Sequence, residues 1–151
     1  MPETERDLRG YRLLLASHSL LAGPRSSLAL AKDAVAWAAT HGVGLYQLPL
    51  PAHALRPRQA DGRLTRPRAA ELRAEQHELE VVFDQIEDYL ASGYRLLGVA
   101  VREEDEATAA GRAWLARVVG LALDRTGTPL PVWRLARGAT RFEADVVEEN
   151  Q

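Results

Sequence analysis

At 151 residues, 46% hydrophobic and 26% charged, the chain fits one globular domain with a buried core and excludes a disordered or fibrous protein. A net charge of −2 supplies no global field to draw nucleic acid or an acidic membrane surface. The absence of cysteine excludes disulfides, thiolate metal sites and cysteine nucleophiles together.

The chain opens on MPETERDLRG, a charged extension over residues 1–10 without the apolar stretch of a signal peptide, and a cytoplasmic location is expected. No apolar run is long enough to span a bilayer. Tyr11 to Ser17 (YRLLLAS) is a short continuous apolar run, the pattern of a strand buried on both faces of a parallel sheet. Gly23-Pro24 turns the chain into a helix from about Ser26 to Thr40, with Ser26 as its cap and an apolar stripe of Leu28, Ala31, Val35 and Ala38. Gly42 suits the residue just past its end. Val43 to Leu48 (VGLYQL) reads as the second strand, stopped by Pro49 and Pro51.

Residues 50–66 read as a long loop with an Asp61-Gly62 turn signal. From Thr65 and Pro67 the longest helix runs to just before Gly93, burying Leu72, Leu79, Val82, Phe83, Ile86 and Leu90. Its acids Glu71, Glu75, Glu78 and Glu87 are expected on its sides or outside. Tyr94 to Val101 (YRLLGVAV) is the third strand and Thr108 to Leu123 the third helix, with Trp114, Leu115, Val118 and Leu121 as core residues. Leu130 to Leu135 is a fourth strand, placed at an edge by Pro131. An acidic tail follows over residues 137–151. The alternation predicts an α/β fold over residues 11–136: a single-domain, Rossmann-like parallel sheet of about four strands with helices on both faces. Ligands in such sheets sit beyond the carboxyl ends of the strands, which puts Ser17 to Arg25, Pro49 to Arg66 and Arg102 to Ala107 on one rim.

Three stretches carry a resemblance: LASHSLLA at Leu15 to Ala22, GVGLYQLPLPAH at Gly42 to His53, and DQIEDYLASGYRLLGV at Asp84 to Val99. They resemble the desulfidases related to thiouracil desulfidase, over roughly residues 11–135. That family carries cysteines in "ASHC" and "LPCPE" patterns and again after the third strand. Ser19 and Leu50 stand in the first two places here, REEDEA replaces the third, and Ala52 stands where the family's acid follows. Neither serine nor leucine supplies the thiolate that an iron–sulfur cluster needs, so the resemblance implies the fold without the cluster, and no cofactor is expected. His18, Gln47, Pro49 and Pro51 match the parts of the pattern that shape the rim. Leu50 either fills the hole left by a cluster or lines a hollow that still takes a heterocycle.

Among the rim residues, His18 and His53 with one acid from Glu103 to Glu106 form a set of the kind that binds divalent iron or zinc, but the spacing makes no motif and no metal site is assigned. In the structural alternative, His18 bonds the backbone of its turn, His53 is exposed, and the acids face the N-terminal end of the third helix. Ser17, Ser19, Ser26 and Ser27 surround the Gly23-Pro24 turn without a phosphate-binding glycine pattern or a G-x-S-x-G elbow. Arg56, Arg58, Arg63, Arg66 and Arg68 form an arginine-rich loop suited to an anionic ligand or an acidic partner, or else a solvated loop offset by REEDEA. It lacks the aromatics of a single-strand nucleic-acid site. Trp37, Trp114 and Trp133 read as core or interface fillers.

These features favour a non-catalytic small-molecule-binding or accessory protein, with a ligand site of Ser17, His18, Ser19, Gln47, Pro49, Leu50, Arg56, Arg58 and Glu103. An enzyme working without a cluster on a small heterocyclic or thio-substituted substrate is the alternative, its candidates being His18, Ser19 and His53 with an acid from Glu103 to Asp105. A third reading is a partner-binding module using the arginine loop. A small-molecule ligand and a homo-oligomer or acidic protein partner are compatible with the sequence; nucleic acid and membrane are not expected.

Overall fold

Four short apolar runs pair into one all-parallel sheet in the order β2-β1-β3-β4. The computed structural model describes residues 12–22, 28–55, 68–136, 138 and 140–142. The strands are β1 (Arg12–Ala16), β2 (Val43–Gln47), β3 (Arg95–Arg102) and β4 (Val132–Leu135). The helices are α1 (His18–Leu21), α2 (Leu28–His41), α3 (Ala69–Ala91) and α4 (Ala109–Thr126), with 3-10 turns at Ala52–Leu55 and Glu103–Glu106. The α/β class and the parallel sheet agree with the alternation read from the sequence, and β4 lies at an edge as Pro131 implies. Ser26, Pro67 and the stretch between Arg56 and Pro67 fall outside the described residues.

The sheet divides two apolar layers. On one face Leu13 and Leu15 of β1 and Val99 and Val101 of β3 pack against Leu79, Phe83 and Ile86 of α3 and Trp114, Leu115 and Val118 of α4. On the other, Leu14, Ala16 and Ala100 meet Leu20 of α1, Leu30, Ala34 and Ala38 of α2, and Phe142. Leu13, Leu14 and Leu15 are all buried, which is why β1 reads as an unbroken apolar run. Each fully buried leucine contributes roughly 2 kcal/mol of transfer free energy.

Two expectations about the helices are corrected. In α2 the buried stripe is Leu30, Ala34 and Ala38, whereas Leu28 is 69% and Val35 55% exposed. The helix sequence LALAKDAVAWAATH is apolar on several stripes, so periodicity cannot choose among them. The sheet takes the stripe bearing small alanines, and Trp37 packs toward Trp133 of β4 and Phe142. In α3, Glu75 is not on the outside but 4% exposed, because the Arg117 guanidinium and the Ala52 amide satisfy its carboxylate. Of the apolar residues expected on its buried face, Leu79, Val82, Phe83 and Ile86 are buried, whereas Leu72 near its start and Leu90 near its end are half-buried.

Local devices fix the elements on the rim side. The Glu71 carboxylate accepts the Arg68 N–H at 2.8 Å at the start of α3. Thr108 Oγ1 accepts the Gly111 N–H at 3.0 Å and caps α4. A Cβ on Gly111 would lie 2.1 Å from the Asp105 carbonyl oxygen, so this glycine lets the 3-10 turn at Glu103–Glu106 seat directly on α4. In β3 the register to β1 slips by one residue between the partners of Leu13 and Leu14. There Gly98 allows Pro131 to approach, and Val99 N–H donates to its carbonyl at 2.9 Å. Among the described residues no helix is long and apolar enough to cross a membrane.

Candidate functional site

The carboxyl ends of β1 and β3 are neighbours in the sheet, so the residues that follow them meet on one rim. After β1 the chain makes a single helical turn, α1, which places Ser17, His18 and Ser19 there. After β3 it makes the 3-10 turn that brings round Asp105. The Asp105 carboxylate then accepts Ser17 Oγ on Oδ2 at 2.7 Å, Ser19 Oγ on Oδ1 at 2.6 Å and the Arg102 backbone N–H on Oδ2 at 2.8 Å. The two hydroxyls lie 3.3 Å apart. Arg102, itself 9% exposed, donates from Nη1 to the Ser19 carbonyl at 3.3 Å and from Nη2 to Glu104 Oε2 at 3.2 Å. This clasp ties both crossover loops together through charge-assisted hydrogen bonds.

A second cluster joins the end of β2 to α3 and α4. Glu75 accepts the Ala52 N–H at 2.9 Å and pairs with Arg117 through Nε at 2.8 Å and Nη2 at 2.6 Å. His53 lies in the 3-10 turn between the clusters, half-buried rather than exposed as the sequence suggested. Burial pushes its imidazole below the usual histidine range; Glu75 and Asp105 oppose that shift and Arg117 adds to it. His53 is therefore a neutral imidazole at neutral pH.

Among the described residues, Nδ1 of His18, Nδ1 of His53 and Oε1 of Glu104 are rim atoms buried without a hydrogen-bond partner. His18 thus does not make the backbone bond through Nδ1 that would orient its turn. A buried polar atom left without a partner costs about 1–3 kcal/mol, so such atoms mark places that water or a ligand completes.

Of the residues named from the sequence, the structure joins Ser17, Ser19 and Asp105 by direct hydrogen bonds and sets His53 within electrostatic reach of Asp105. Pro49 and Leu50 are half-buried, while Gln47 and Glu103 are exposed. Arg56, Arg58, Arg63 and Arg66 lie outside the described residues. Within the REEDEA stretch Glu104 pairs with Arg102, and Glu106 takes the Arg134 fork at 2.8 and 3.1 Å. Among the described residues no group of three His, Asp or Glu side chains is disposed to hold a metal ion.

Sequence reasoning missed Glu75, Arg117 and Arg102. Glu75 sits four residues before Leu79 and hence on the buried stripe of α3, a signal that periodicity carried. Arg102 ends β3, whose last five residues are all buried, and a cation in that position implies a nearby acceptor. No protein-family model, no curated protein and no solved structure matches this chain.

Proposed function

We propose that the chain is a cytoplasmic, non-catalytic small-molecule-binding or accessory protein whose ligand sits on the rim formed by Ser17–Ser19, the turn at His53 and the turn at Glu103–Glu106. The observation that carries this reading is the pair of buried imidazole Nδ1 atoms without partners, one beside the serine–aspartate clasp and one between Asp105 and Glu75. The His53 imidazole, held neutral by burial, offers one donor and one acceptor, which suits an uncharged polar heterocycle. The resemblance to the desulfidases supports the location and not their chemistry. An iron–sulfur cluster does not fit the donor set, because Ser19 stands in a ligand's place and its hydroxyl is given to Asp105 at 2.6 Å. Anaerobic reconstitution with iron and sulfide is expected to give no charge-transfer band.

Native mass spectrometry of protein purified from its own host tests the binding reading. A retained small molecule, lost in Ser19→Trp and weakened in His53→Ala, is expected. A chain that retains nothing, with no thermal shift from a panel of pyrimidines and thiopyrimidines, contradicts it.

A second reading, cluster-independent catalysis at the same rim, draws on the Ser19–Asp105 contact, which places a proton acceptor on a serine hydroxyl. Against it, Ser17 shares that carboxylate. Turnover of any thio-substituted heterocycle that Ser19→Ala and His53→Ala each reduce by orders of magnitude is the result this reading needs.

A further inference from the structure

A groove of about 400 Å3 lies at the opposite end of the sheet from the rim, where α3 gives way to β3. Among the described residues Gln85, Asp88, Tyr89 and Ser92 line it, spaced three and four apart along α3 and so sharing one face of the helix. That volume is in the range of small-ligand sites. Three of the chain's four tyrosines gather at this corner. Tyr89 is 39% exposed, and Tyr94 meets its ring edge to face with the centroids 4.9 Å apart. The Tyr46 hydroxyl donates to Gln85 Oε1. Burial, with Tyr89 adding to it, pushes that hydroxyl above its usual range and keeps it a neutral donor. Ser92 Oγ donates its proton to the Asp88 carbonyl at 3.0 Å and keeps its lone pairs for an incoming donor.

The charges around the groove supply a second, independent observation. A helix as long as α3, at 23 residues, carries partial negative charge at its C-terminal end. The other long helices, α2 and α4, hold His41 and Arg125 in their last turns. The last turn of α3 has no basic residue and holds Asp88 instead. Arg125 takes the neighbouring acids Asp84 and Glu87, and no described cation pairs with Asp88. This carboxylate therefore faces the like-signed end of its own helix with nothing in the chain to offset it. A cation seated in the groove removes that conflict.

We infer that the groove is a binding site, separate from the rim, for the guanidinium group of a small ligand. A guanidinium directs two parallel N–H donors at the Asp88 carboxylate, lies flat against the Tyr89 ring, and has further N–H groups for Ser92 Oγ. An ammonium supplies the charge without the fork or the flat face. An anion is repelled by Asp88 and by the helix end, and an apolar ligand leaves Asp88 and Ser92 unmet.

Titration of the full chain with L-arginine amide, followed through the backbone amide NMR signals, tests it. Saturable shifts centred on residues 85–92 are expected. Citrulline amide, which keeps the shape without the guanidinium charge, and lysine amide, which keeps a charge without the fork, each bind about 10-fold more weakly. Asp88→Asn and Tyr89→Ala each weaken arginine amide binding about 10-fold with circular dichroism unchanged. Asp88→Asn also raises the melting temperature of the ligand-free chain, because it removes the acid from the negative end of α3. Should Tyr89→Ala not fold, Tyr89→Leu keeps the bulk and removes the ring. Absence of any saturable shift overturns the inference, as does equal binding of citrulline amide or lysine amide. So does arginine amide binding that Asp88→Asn leaves intact.

Discussion

Ser19 and Asp105 lie 86 positions apart in the chain and 2.6 Å apart at the rim, where the hydroxyl of one donates to the carboxylate of the other. Ser17, 1% exposed, donates to the same carboxylate. Removing the acceptor in Asp105→Ala leaves a buried hydroxyl and the Arg102 N–H unsatisfied. We expect chemical denaturation to show a loss of about 1–3 kcal/mol. Ser17→Ala, which removes a donor and leaves Asp105 with Ser19, should cost less. Equal losses in the two variants would mean that the clasp is not organised around the carboxylate.

Glu75 and Arg117 should behave as a unit. Arg117→Ala leaves a nearly buried carboxylate with only the Ala52 amide and is expected to destabilise by roughly 3 kcal/mol. Replacing both partners, Glu75→Leu with Arg117→Met, should recover most of that loss. A double-mutant cycle with a coupling below about 0.5 kcal/mol would contradict the pairing.

The pH dependence of stability should carry a mark of His53. Its folded-state value lies below the ordinary 6.5 because the ring is partly buried. The unfolded chain therefore binds the proton more readily than the folded one. The stability contributed by the neutral ring is complete above pH 6.5 and is lost as the pH falls toward the folded value. Comparing melting temperatures at pH 7.5 and 5.5 in the parent and in His53→Gln isolates this contribution. The variant should lose less stability on acidification than the parent.

Two glycines of α4 should respond in opposite directions to alanine. Gly120 has nothing within 4 Å of a built Cβ, so Gly120→Ala should stabilise by about 1 kcal/mol through helix propensity. Gly111→Ala forces its methyl against the Asp105 carbonyl and should destabilise by about 1–3 kcal/mol while disturbing the clasp. Thermal denaturation of the two variants side by side provides the comparison.

The strands were legible because a parallel sheet writes itself as short apolar runs, and Leu13 to Leu15 and Val99 to Val101 do so plainly. The buried face of α3 was legible for a similar reason, since charges separate its apolar stripe from its surface. α2 was legible only at Ala38, because alanine satisfies either side of a helix and only packing selects Leu30 and Ala34 over Leu28 and Val35. The rim was half legible. Ser17, Ser19 and the acids could be set on neighbouring loops by topology, but the choice of Asp105 over Glu103 depends on a 3-10 turn that no residue pattern announces. The burial of Glu75 hinges on Arg117, 42 positions away, which a local reading cannot bring near.

The three tryptophans are distributed unevenly across the sheet. Trp114 is 1% exposed in the layer built by α3 and α4, whereas Trp37 and Trp133 meet edge to face at 5.8 Å in the layer of α2, closed by Phe142. Nature has in effect labelled the two sides of the molecule with separate fluorophores. A chain keeping only Trp114 reports the melting of one layer, and a chain keeping only Trp37 and Trp133 reports the other. Coincident transitions would mean that the sheet transmits its cooperativity from face to face, and separated ones that one layer opens first.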